Sequence, residues 1–221
     1  MSLSGLLDVV VRDAALAEAV EAAAGGRRHH LDLVGPPAAR PFAIAALARS
    51  LAGRAGERGR PVLAVTATGR EAEDLAASLR SLLPADAVAE FPAWETLPHE
   101  RLSPRSDTVG RRLAVLRRIV HPRADDPAAG PVQVVVAPVR SVLQPQVKGL
   151  AELEPVALRR GERHDLEEVA RGLAAAAYAR VELVEKRGEF AVRGGILDVF
   201  PPTEEHPLRV EFWGDDVEEI R

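Results

Sequence analysis

Between Gly35 and Phe42 the chain reads GPPAARPF, at the turn between an apolar stretch, HLDLV, and an apolar helix pattern. In an α/β nucleotide-binding domain that turn holds the phosphates. A phosphate loop, G-x-x-x-x-G-K-[ST], sets backbone N–H groups, a lysine and a magnesium-binding hydroxyl against them. Gly35 supplies the first glycine, but Arg40 stands at the second glycine, Pro41 at the lysine and Phe42 at the hydroxyl. Pro36, Pro37 and Pro41 also lack the N–H such a loop uses. The expectation is a nucleotide-binding architecture with a degenerate loop and no cofactor of its own. Arg40 either meets an anion at the helix start or is a solvated surface arginine.

Other reactive groupings are sparse. There is no cysteine, which excludes a disulfide framework and a thiolate metal site. The six histidines, at 29, 30, 99, 121, 164 and 206, show no metal spacing with carboxylates. No Ser/His/Asp set is recognisable. Asp125-Asp126 and Asp215-Asp216 lie in turns, where aspartate bonds its own backbone. Arg111, Arg112, Arg117 and Arg118 read as a basic helix face, either solvated or in reach of phosphate. Arg193 is set apart by its strand position: Phe190 and Val192 share one side, so Arg193 points to the other with its guanidinium exposed. A planar five-donor fork suits bidentate carboxylate pairing. The plainer alternative is an ion pair with Glu211 or Glu182 across the sheet.

The elements that must position these residues alternate over the first 140 positions. Helices are expected from Asp13 to about Ala24, over Pro41–Leu51, from Thr68 to about Leu83 and from Ser106 or Asp107 to about Val120. The last has Val109, Leu113, Leu116 and Val120 inward. Thr68 with Glu71 forms a capping box. Strands are expected at Leu31–Val34, Pro61–Thr66, Val88–Phe91 and Val132–Ala137, the second with the continuous apolar character of a buried parallel strand. Residues 53–60 and 121–131 read as loops, and Trp94 to Pro98 as a packed one. This is a doubly wound α/β domain at 1–140 with a mostly parallel sheet.

From 141 the pattern changes to α+β. A short helix at about 140–144 precedes strand-like Val156-Ala157-Leu158, and Asp165 caps a helix to about Ala177. An antiparallel sheet of two linked hairpins then runs from Val181 to Asp216. Arg187-Gly188-Glu189 is its first turn, Gly194-Gly195 a bulge or close backbone approach, and Gly214-Asp215-Asp216 its last turn. Leu208, Val210 and Phe212 face inward, while Arg193, Arg209, Glu211 and Trp213 face out.

The bulk numbers agree with a folded, non-membrane protein. The 221 residues are 47% hydrophobic with only 4% aromatic, and the net charge of −4 argues against a generally basic nucleic-acid binder. No signal peptide is visible, and no apolar run reaches the roughly 18 residues a membrane span needs. A cytoplasmic location is expected. The charged C-terminal VEEIR reads as a cut within a longer protein.

Two long stretches carry a family resemblance. RGEFAVRGGILDVFP followed by LRVEFWGDDVEEIR resembles the segment shared by the excision-repair protein UvrB and the transcription-repair coupling factors (Mfd). FPAWETLPHERLSPRSDTVGRRLAVLRRI resembles the coupling-factor version, with W-E-T-L-P, then S-P, then a helix entered through D-x-x-x-x-R-L. The degenerate phosphate loop points the same way, because UvrB keeps an intact one. The resemblance covers nearly the whole chain and is weakest over residues 1–30.

That resemblance implies a degenerate P-loop NTPase-like, UvrB-like domain followed by a small domain, 141–221, that docks on UvrA. It implies Arg193 as the leading docking residue, with Arg187, Arg180, Phe190 and Trp213 in support. UvrB has a further arginine where this chain has Ala191, so the basic patch is weaker here. The fragment is expected to be non-catalytic. ATP, magnesium, RNA polymerase and double-stranded DNA belong to the full-length translocase, within which this part recruits UvrA to stalled polymerase. A UvrB-type DNA-binding module and a nucleotide-dependent α/β enzyme are the alternatives. Loss of UvrA binding on charge reversal at Arg193, salt-sensitive DNA affinity, and nucleotide-induced thermal stabilisation separate the three.

Overall fold

The computed structural model describes residues 3–26, 29–52, 59–96, 103–126 and 129–221. Leu97, Pro98, His99 and most of the expected loop at 53–60 lie outside them. The first half contains α1 (Ser4–Val10), α2 (Ala14–Ala24), α3 (Arg40–Leu51), β1 (Val62–Thr66), α4 (Gly69–Leu82) and β2 (Val88–Glu90). Then come α5 (Ser106–Val120), β3 (Val134–Pro138), α6 (Val139–Leu143) and α7 (Leu166–Ala175). The chain closes with β4 (Ala179–Arg180), β5 (Glu189–Arg193), β6 (Ile196–Phe200), β7 (Leu208–Trp213) and β8 (Asp216–Ile220). These elements form two compact units, residues 1–94 with 118–144, and residues 95–117 with 145–221. Residues 95–117, read from sequence as part of the first domain, thus group with the second. Among the described residues no helix is long and apolar enough to cross a membrane.

The first unit holds a parallel sheet in the order β1-β3-β2. Central β3 is buried along its whole length, which its run of valines requires. Helix α4 forms as its sequence dictates: the Thr68 side chain accepts from the Glu71 N–H, and the Glu71 carboxylate accepts from the Ala67 N–H. Its residues Ala72, Leu75, Ala76, Leu79 and Leu82 then pack on Ala64, Val88, Val134 and Val136. Asp13 caps α2 through the Leu16 N–H at 2.9 Å. Helix α1, which no side chain caps, is not foreseeable from sequence.

Two expectations fail in this unit. Leu31–Val34 is not a strand, and Leu33 and Val34 stand exposed. The run is short, Asp32 interrupts it, and Pro36-Pro37 remove the donors that would extend its pairing. β1 is not buried on both faces either. As an edge strand it buries Ala64 and Thr66 while Leu63 and Val65 are exposed.

The second unit holds a five-stranded sheet in the order β4-β5-β6-β7-β8. Its registers place Phe190 opposite Val199, Leu197 opposite Val210, and Phe212 opposite Val217. With Val192 and Leu208 these residues form one apolar face, covered by Val169, Ala170 and Leu173 of α7. Asp165 starts that helix by accepting from the Glu168 N–H at 2.8 Å. The Gly161 N–H donates to the Val217 carbonyl and the Val217 N–H to the Glu162 carbonyl, so the 161–164 stretch covers the outer edge of β8.

The expected first hairpin is absent. Strand β4 spans two residues and pairs with β5 in parallel. The Glu189 carboxylate accepts the N–H groups of Glu185 and Lys186, at 2.9 and 2.8 Å, and curls that segment out of the sheet. Val156-Ala157-Leu158 is likewise unpaired, though Leu158 packs on the core. Gly194-Gly195 is a turn between β5 and β6, with Gly194 at φ 60°. It is also the close approach foreseen, because a Cβ on Gly195 would lie 2.6 Å from the Phe212 carbonyl oxygen. The bulge is elsewhere, between Glu211 and Phe212.

Candidate docking interface

The face of the second sheet turned away from α7 carries its charged residues. One cross-strand row is Arg193, Ile196, Glu211 and Glu219; the next is Ala191, Asp198 and Arg209, with Arg221 bonded backbone to backbone to Arg209. Alternation along β7 puts Trp213 on this same side, beyond Glu211, and it is 78% exposed.

These charges are already organised. Arg209 grips Asp198 with two parallel hydrogen bonds of 2.6 and 2.8 Å. Those bonds, reinforced by the fields of Arg209, Arg193 and Arg221, hold the Asp198 carboxyl below its ordinary range against the opposing effect of burial. Arg221 reaches Glu211 at 2.5 Å and Glu219 at 2.8 Å. Arg193 is exposed, and among the described residues its one hydrogen bond goes from Nη2 to the backbone carbonyl of Glu182. Neither carboxylate expected as its partner holds it: Glu211 is taken by Arg221, and Glu182 offers only its main chain.

The other candidates separate. Phe190 is 1% exposed and belongs to the core against α7, so it is withdrawn as a surface anchor. Arg180, on the edge strand in register with Phe190, is exposed at the sheet rim, outside the Arg193 row. Arg187 is mostly covered; it pairs with Asp107 at 2.7 Å and stacks over the Phe200 ring at 5.0 Å. What remains together on one open face is Arg193 and Trp213.

The basic face expected on α5 does not exist as such. Its buried residues are Thr108, Gly110, Arg112 and Val115, while Val109, Leu113, Leu116 and Val120 are half-buried. Arg112 is 1% exposed, and burial pulls its guanidinium down to about 10. Arg118 donates to the backbone carbonyls of Gly130 and Asp86 and fastens loops. Periodicity alone cannot show this, because an arginine is counted as polar wherever it falls.

The W-E-T segment is held by residues that sequence did not single out. Gln144 binds the backbone of Trp94, and the Thr108 hydroxyl donates to the Glu95 carboxylate, which that bond keeps below its ordinary range. At the degenerate loop, Pro37–Ala39 forms a single 3-10 turn in which the Ala39 N–H is spent on the Pro36 carbonyl. Arg40 and Pro41 open α3, Arg40 is exposed, and Phe42 packs against the core. An N–H turned inward and three prolines leave few donors for phosphate there. Among the described residues no His, Cys, Asp or Glu cluster has the makeup of a metal site.

Comparison with known proteins now bears on this face. Residues 156–221, which include it, match the UvrB interaction domain. The chain is 54% identical over 199 residues, 90% of its length, to a transcription-repair-coupling factor of Mycobacterium bovis, of which it spans 15%. It is 28% identical over 135 residues to that of Escherichia coli, covering 61% of this chain and 11% of the relative. It is also 30% identical over 213 residues to UvrABC system protein B of Streptomyces coelicolor, covering 84% of this chain and 30% of the relative. The chain therefore spans about one-seventh of the length of the first coupling factors it matches.

Proposed function

We propose that this chain, whose residues 156–221 match the UvrB interaction domain and which is similar over most of its length to transcription-repair-coupling factors, recruits UvrA to the site of transcription-coupled repair. One observation carries this reading: Arg193 and Trp213 are exposed together on the sheet face of the matched domain. Arginine and tryptophan are the side chains that most often dominate an interface. Arg193 gives up one bond to a backbone carbonyl and gains a charge-assisted, two-pronged bond to a carboxylate of the partner. Trp213 supplies apolar area. The Asp198–Arg209 and Arg221–Glu211 pairs are formed beforehand, so the face meets its partner with little side-chain ordering left to do.

In this reading the fragment does no chemistry. ATP and magnesium serve the translocase part of the whole coupling factor, which also engages RNA polymerase and double-stranded DNA. The scarcity of phosphate-loop donors at Gly35–Phe42 supports that division. The test is a titration against UvrA of the wild type beside Arg193→Glu, with circular dichroism on both. Binding by the wild type and loss in a folded Arg193→Glu is the expected result. Equal binding by both overturns the assignment of this face.

A further inference from the structure

Arg187 faces inward and joins three segments. Its Nη1 lies 2.7 Å from the Asp107 carboxylate in the first turn of α5. Its Nε donates to the Glu204 carbonyl at 3.0 Å, in the loop after β6. Its guanidinium carbon stands 5.0 Å from the centre of the Phe200 ring, at the end of β6. A second observation lies one turn along the helix. A Cβ on Gly110 would sit 1.8 Å from the Pro202 carbonyl oxygen. Helix α5 therefore rests on the 201–204 loop backbone to backbone, and Arg187 is the polar fastening beside that contact. Phe200 is two residues along β6 from Asp198, so it shares the Arg193 face.

We infer that Arg187 is a positioning residue, which fastens the first turns of α5 to the Phe200 end of the docking face and governs docking through Asp107 without touching the partner. This rests on the UvrA reading above. Arg187 lies over Phe200 with Asp107 at its other side, so the start of α5 sits at that end of the face and the Arg193–Trp213 end is left for the partner. Removing Asp107 takes away the ion pair alone, whereas removing Arg187 also takes away the Glu204 bond and the Phe200 stack, so the Arg187 variant has the larger effect and already contains that of Asp107.

The variants are Arg187→Met, which keeps the length of the side chain, Asp107→Asn, the two combined, and Arg187→Lys. In the unbound protein, amide hydrogen exchange over 106–112 and 201–206 is expected to quicken by about three- to ten-fold in Arg187→Met, by less in Asp107→Asn, and in the double no further than in Arg187→Met. Arg187→Lys keeps the ion pair and falls between. UvrA affinity follows the same pattern. Unchanged exchange in both single variants overturns the inference. So does weakened docking in Arg187→Met with exchange over 106–112 and 201–206 unchanged, because Arg187 would then touch the partner itself. Arg193→Glu separates the two readings. If it abolishes docking while Arg187→Met and Asp107→Asn bind normally, only the positioning role falls. If it binds as the wild type does, the docking reading falls and this inference with it.

Discussion

The side-chain amide of Gln144 meets both polar groups of the Trp94 backbone. The Trp94 N–H donates to Oε1 at 2.7 Å, and Nε2 donates to the Trp94 carbonyl at 3.2 Å. The geometry copies a β-ladder pairing with a side chain in place of a strand. Both residues are half-buried, so an unmet group there has poor access to water. Gln144→Leu is expected to cost about 1–3 kcal/mol, read as a lower urea midpoint with unchanged slope. Faster exchange at the Trp94 amide should accompany it. An unchanged midpoint would mean that water replaces the amide at no cost.

Two glycines should respond in opposite directions to the same change. Gly110→Ala forces a methyl into the Pro202 backbone, which cannot swing aside as a side chain can. A loss of about 2–3 kcal/mol or more is expected. Gly69, the first residue of α4, has open space around its Cβ position. Gly69→Ala should be neutral or add about 0.4–1 kcal/mol by restricting the unfolded chain. Thermal midpoints of the two variants, measured side by side, decide it.

Asp198 makes the second unit acid-sensitive in a defined direction. Its folded carboxyl is held below the ordinary range, chiefly by the Arg209 hydrogen bonds. The unfolded chain therefore binds the proton more readily, and stability rises with pH across that window. The contribution is complete above the unfolded carboxyl value of about 3.9 and is lost as pH falls through the lower folded value. Asp198→Asn should have a lower urea midpoint than the wild type at pH 7, and the gap should close in acid. A gap that stays constant down to the acid limit would contradict the assignment.

Stability and docking should separate at two aromatic residues. Phe190→Ala empties a core position against α7 and is expected to cost about 3–5 kcal/mol. Trp213→Ala removes an exposed side chain and should change stability by less than about 0.5 kcal/mol. Its UvrA affinity should nevertheless fall by about ten-fold or more, as for an interface anchor. Trp213→Ala with unchanged affinity would remove tryptophan from the docking face.

Much of this protein was legible in its residues alone, wherever the deciding interaction is local. Asp13, Thr68 with Glu71, and Asp165 cap their helices through bonds that span three or four residues. Period-two alternation placed Val210 and Phe212 inward and Trp213 outward, and the glycines at 194–195 announced a close backbone approach, though not the turn they form. Where the partner lies far along the chain, only the tertiary structure could decide. Leu31–Val34 has strand character, but no strand pairs with it among the described residues. Lys186 and Glu185 look extendable until the Glu189 carboxylate collects their N–H groups. Arg112 and Arg187 belong to a residue type that is solvated by default, and a single guanidinium carries no mark of burial until its surroundings are assembled. The same holds for residues 95–117: Gly110 against Pro202 and Asp107 against Arg187 join the helix to the second unit, through contacts that no local pattern encodes.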